Sequence, residues 1–86
     1  MTQHTEAQLL SRMRWRSRRG MLELDQLLVR YLNQAWTSAD AEERETYRRL
    51  LECEDTDLWT WVQGKDRPED GSLDTLIQKI RNLPVR

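Results

Sequence analysis

The chain has 86 residues, 34% charged and 37% hydrophobic, with a formal net charge of −1. That is one small domain, able to bury roughly 60–65% of its unfolded surface, with no room for a deep cofactor cavity. Its near-neutral charge argues against a dedicated nucleic-acid binder, and no apolar run approaches the roughly 18 residues a membrane span needs.

Thirteen Leu against five Ile plus Val, with three Gly and two Pro, point to helices rather than strands. No secretory signal is expected. The single cysteine, Cys53, excludes an internal disulfide or a structural zinc site and fits a reducing, cytoplasmic setting. The expected architecture is an all-α, compact five-helix bundle, one domain over residues 1–86.

Residues 1–5 are polar and expected to be frayed or disordered, which leaves His4 without the held geometry that catalysis requires. The first helix is predicted over residues 6–15, with Thr5 and Gln8 spaced as a capping box and Leu9, Leu10 and Met13 as its apolar stripe. The second is predicted over 20–35. Leu24, Leu28, Tyr31 and Ala35 share one face, Met21, Leu27 and Leu32 widen it, and Glu23 and Asp25 suit the dipole of the first turns. A third helix should start after a cap at Thr37 or Asp40 and turn Tyr47, Leu50 and Leu51 inward. A short fourth, capped by Asp55, carries Leu58, Trp59, Trp61 and Val62 and stops at Gly64. Leu58 and Val62 fit an inward stripe, with one of Trp59 and Trp61 in the core and the other a platform. After a polar loop holding Pro68, Ser72 is the expected cap of a fifth helix with stripe Leu73, Leu76, Ile77 and Ile80, closed by Pro84.

Two charge clusters stand out. Residues 12–19 hold five arginines and no acid. Arginine favours planar, bidentate contact with carboxylate or phosphate, and Trp15 adds a stacking surface. Arg12, Arg16 and Arg19 share a face if the helix continues. The alternative is a solvated basic helix end. Residues 40–57 carry eight acids and three arginines, a local net of −5. They read as a solvated face in which Glu42, Glu43 and Glu45 are dispensable. Asp55-x-Asp57 is not a calcium loop, because Trp59 and Thr60 stand where a ligand and a turn glycine are needed.

No catalytic set is present. Gly20, Gly64 and Gly71 are too scattered for a phosphate cradle. One terminal His and one mid-helix, half-buried Cys cannot form a nucleophile and its base. The chain is therefore expected to be no enzyme, to hold no metal and to bind no FAD tightly.

The stretch Arg18-Arg19-Gly20-Met21-Leu22-Glu23-Leu24-Asp25 resembles the Arg-Gly-x-x-Glu signature of the succinate dehydrogenase assembly factors, the small flavinylation factors of bacteria and mitochondria. A second block supports the resemblance: Leu50-Leu51-Glu52-Cys53-Glu54-Asp55-x-Asp57-Leu58-x-x-Trp61, then Gly64 and Pro68. The resemblance implies a five-helix FAD assembly factor. Such a factor binds the flavoprotein subunit of succinate dehydrogenase, and often of fumarate reductase, and promotes covalent attachment of FAD to a histidine of that subunit. Carried over, the contact surface would comprise Arg19, Gly20 and Glu23, with Arg12, Trp15 and Met21 beside them. Arg19 and Glu23, spaced i,i+4, can pair in the free protein. The alternative is an antitoxin, or a nucleic-acid or protein interaction module using residues 12–19.

Overall fold

The computed structural model describes residues 5–84. The expected fraying of residues 1–4, with His4, lies outside the described residues. Thr5 is not frayed: its Oγ1 accepts from the Gln8 N–H at 3.1 Å while Gln8 Oε1 accepts from the Thr5 N–H at 2.9 Å, completing the capping box. Five helices follow: α1 (Glu6–Arg16), α2 (Leu22–Gln34), α3 (Ala41–Leu50), α4 (Asp55–Val62) and α5 (Gly71–Arg81).

The helix starts differ from the sequence reading in three places. α2 begins two residues after Gly20, at a Met21 cap position that has no side-chain bond. α4 begins after Glu54, so Asp55 is its first helical residue rather than its cap. α5 is capped by Asp70, not Ser72, because the Asp70 carboxylate reaches the N–H groups of both Ser72 (2.8 Å) and Leu73 (3.1 Å). Arg49 also pairs with Asp70 at 2.9 Å, and that hydrogen bond, with those of the backbone, holds its carboxyl below the usual range. Asp40, the second of two candidates, caps α3 through the Glu43 N–H at 2.8 Å.

α5 organises the core. Leu73, Leu76, Ile77 and Ile80 are all buried, and the helix packs against α2, α3 and α4. α2 adds Leu24, Leu28, Tyr31 and Leu32, with Ala35 and Trp36 following, and α3 adds Tyr47 and Leu50. Tyr31 stacks on Tyr47 with centroids 4.7 Å apart, and the Trp36 ring meets Tyr47 edge-on at 5.9 Å. α1 rests on α2 with only Met13 fully buried; Leu9 and Leu10 are half-exposed. Polar ties supplement that thin contact. Arg44 covers the Trp36 ring at 4.7 Å and pairs with Glu6 at 3.0 Å, and Arg14 donates to Asn33 at 2.6 Å.

Trp59 and Trp61 are both half-buried against the core, instead of one inside and one outside. The inward direction of α4 lies between Leu58 and Val62. At about 100° per residue, the two indoles sit about 80° to either side of it, so both reach the core edge. Glu43 is likewise not a solvated residue. It accepts from the Tyr31 hydroxyl at 2.7 Å and pairs with Lys79 at 2.8 Å, linking α2, α3 and α5.

Candidate partner interface

α1 ends at Arg16 for a physical reason. The Ser17 hydroxyl turns back to the Met13 carbonyl at 2.6 Å and meets the buried Tyr47 hydroxyl at 2.6 Å. Ser17 is itself buried. The chain then leaves the helix, so Arg19 does not continue the face of Arg12 and Arg16. Gly20 takes φ +81°, a left-handed conformation that side chains rarely adopt.

Arg19 points inward, its side chain only 17% exposed. It donates to the Leu51 carbonyl and faces the Asp55 carboxylate at 3.6 Å. Its Nε is buried without a partner. The expected Arg19–Glu23 pair is therefore replaced by a strut joining the α1–α2 turn to the α3–α4 turn. The reason is geometric: Arg19 lies outside α2, so the helical i,i+4 spacing does not apply. Asp25, whose role the sequence did not reveal, accepts from the Arg19 N–H at 2.7 Å and the Gly20 N–H at 3.3 Å. A signal was present. Met21 cannot cap α2 with its side chain, and a carboxylate follows in the first turns.

Outward of this turn the surface is open. A Cβ on Gly20 would meet nothing within 4 Å. Trp15 is 76% exposed and Leu22 71%, the exposed large hydrophobics among the described residues. Glu23 and Arg12 are exposed and form no ion pair among the described residues. Met21 is half-buried and packs on the core. Trp15, Arg16, Arg18, Arg19 and Leu51 line one hollow, while Arg12 and Arg16 border a second. Of the six residues expected at the surface, Trp15 and Arg19 thus share a hollow. Gly20, Met21 and Glu23 follow along the turn and the start of α2, and Arg12 stands one turn back on α1.

Cys53 lies in the α3–α4 turn rather than mid-helix. Burial, aided by the nearby Asp57 charge, pushes its thiol up, which makes it a poor nucleophile. Among the described residues no cluster of His, Cys, Asp and Glu could hold a metal ion, and no helix is long and apolar enough to cross a membrane.

Residues 11–84 match the sequence pattern of a family described as "Flavinator of succinate dehydrogenase" (Sdh5). The chain belongs to this family. It is 49% identical over 76 residues to a protein named FAD assembly factor SdhE from Xylella fastidiosa (strain 9a5c), spanning 88% of this chain and 78% of the relative. A protein of the same name from Pseudomonas aeruginosa is 45% identical over 71 residues, 83% of this chain and 84% of the relative. One from Methylococcus capsulatus is 46% identical over 72 residues, 84% and 87%. The span matched to the flavinator family contains all six expected surface residues, and Asp25 and Asp55 with them.

Proposed function

We propose that the chain is a cytoplasmic FAD assembly factor. It docks on the flavoprotein subunit of succinate dehydrogenase through the α1–α2 turn and promotes covalent attachment of FAD to that subunit. Family membership supports the activity. The observation that carries the choice of surface is the open Gly20 turn, flanked by exposed Trp15 and Leu22, with an exposed Glu23 carboxylate beside it.

The mechanism is one of positioning. Gly20 presents bare backbone, which lets a partner's main chain approach closely. Trp15 supplies a broad apolar face of the kind enriched at interface centres. Glu23, Arg12, Arg16 and Arg18 supply charges free to meet the partner, while Arg19 braces the turn from below. FAD is the cargo of the partner in this reading. Gly20 and Gly64 lie in separate turns and Gly71 opens α5, so among the described residues no glycine-rich loop forms a cradle for a pyrophosphate, and the bond-forming chemistry rests with the flavoprotein and its flavin. In this reading the factor supplies no catalytic group of its own. On the resemblance of the signature, the reading extends to the flavoprotein of fumarate reductase.

A nucleic-acid role is disfavoured by the fate of the five arginines. Two of them are engaged within the chain, Arg14 by the Asn33 side chain and Arg19 by the Leu51 carbonyl and the Asp55 carboxylate. The test is to mix the purified chain, the apo-flavoprotein subunit and FAD, and to follow covalent flavin by in-gel fluorescence. The expected result is chain-dependent flavinylation, with the complex isolated by size exclusion. Equal flavinylation with and without the chain would refute the proposal, and salt-sensitive binding to duplex DNA in its place would favour the alternative.

A further inference from the structure

α2 lacks a side-chain cap, yet it has a carboxylate in its first turns whose hydrogen bonds go to amides ahead of the helix and not to its own first N–H groups. A carboxylate there ordinarily interacts with the helix dipole and the first orphan N–H groups. Asp25 instead reaches past the cap position. Oδ1 takes the Arg19 N–H at 2.7 Å and Oδ2 the Gly20 N–H at 3.3 Å. Those two amides belong to the residues immediately before the cap, and the second is the glycine at φ +81°.

We infer that Asp25 is a positioning residue for docking: it fixes the Arg19–Gly20 backbone so that the bare face of Gly20 is presented ready-made to the flavoprotein subunit. The inference rests on the functional reading above and assigns Asp25 no contact with the partner. The physics is preorganisation. A glycine loses more backbone freedom on ordering than any other residue, and a turn already fixed in the free protein spares that loss at binding. Both carboxylate oxygens are occupied by this turn, and the half-buried side chain lines a surface hollow together with Arg18 and Leu22. Arg19 contributes from the other side: its guanidinium ties the same backbone to Leu51 and Asp55. The turn is thus clamped from two directions, with its outer face left open.

The test uses the full chain and the purified apo-flavoprotein subunit. Affinity, covalent flavin yield, melting temperature and amide exchange at residues 19 and 20 are measured for the wild type, Asp25→Ala and Asp25→Asn. Asp25→Ala is expected to speed exchange at both amides and to weaken binding about tenfold. Asp25→Asn keeps one acceptor oxygen. It is expected to restore protection at Arg19 but not at Gly20, and to bind between the other two. The asparagine variant also decides the matter if alanine does not fold. Wild-type affinity in Asp25→Ala would overturn the inference. So would a loss of binding with amide protection unchanged, because that is the signature of a direct contact. Failure of the functional reading itself is seen separately, as a wild-type chain that does not bind the subunit.

Discussion

The molecule uses the same backbone device twice, to opposite ends. Gly20 and Gly64 are the two glycines with positive φ among the described residues, at +81° and +78°. Gly64 closes α4 in a paired arrangement, its N–H bonding the Trp61 carbonyl at 3.0 Å and the Lys65 N–H the Thr60 carbonyl at 3.1 Å. Arg81 lies over it, so that a Cβ there would sit 2.6 Å from the guanidinium, which also donates to the Val62 carbonyl at 3.1 Å. Gly20 terminates nothing in this way, and nothing covers it. A glycine under another side chain serves the fold, whereas a glycine held in the same conformation beneath open space leaves room for something outside the chain.

The largest expected effect is on the closed turn. Gly64→Ala forces a side chain into the left-handed region, at about 1–2 kcal/mol, and displaces Arg81 from a hydrogen bond to the α4 terminus, worth about 1 kcal/mol more. The melting temperature should fall by roughly 10 °C or more for a domain of this size. A fall of only a few degrees would show that Arg81 moves aside freely and that the two turns are less different than the geometry implies.

Alkaline pH sharpens the contrast from the other side. The α1–α2 turn stands on Tyr47 through Ser17, and burial pushes the Tyr47 hydroxyl well above its ordinary range. Tyr31 is raised further, first by burial and then by its hydrogen bond to Glu43. Because both folded values lie above the unfolded one, their stabilisation is intact below about pH 10 and is lost as pH rises beyond it, at up to about 1.4 kcal/mol per unit for each tyrosine. Melting curves with phenolate absorbance should show cooperative unfolding between pH 10 and 12. Tyr47→Phe should lessen the pH dependence, and an unchanged slope in that variant would count against the assignment.

Gly20→Ala should cost less than the change at Gly64, about 1–2 kcal/mol, since only conformational strain opposes it. Smaller still is the effect of Glu42→Gln with Glu45→Gln, both exposed: within about 0.5 kcal/mol by thermal melting. Glu43→Gln should exceed that pair, because it disturbs the bridge from Tyr31 to Lys79.

The sequence made most of the fold legible. The stripe Leu73, Leu76, Ile77 and Ile80 announced the central helix, and the Thr5–Gln8 box and Gly64 marked two ends correctly, because these signals are local. What it hid depended on tertiary neighbours. Ser72 and Asp55 are as good capping residues as Asp70, yet Arg49 and the reach of the Asp70 side chain decide one case, and Arg19 draws Asp55 away in the other. The Arg-Gly-x-x-Glu signature is what directed attention to the α1–α2 turn as the proposed docking surface. The inward turn of Arg19 was not legible, since it depends on tertiary partners: Ser17 bonds Tyr47 where α1 ends, and the Arg19 side chain reaches the Leu51 carbonyl and Asp55.

The most direct test of the account compares Gly20→Ala with Gly64→Ala at a temperature where both variants are fully folded by circular dichroism. Covalent flavin on the succinate dehydrogenase flavoprotein is the readout. The account predicts that Gly20→Ala, the more stable variant, loses flavinylation, while Gly64→Ala, the less stable one, retains it. Flavinylation that follows stability instead, with Gly64→Ala the more impaired, would contradict it.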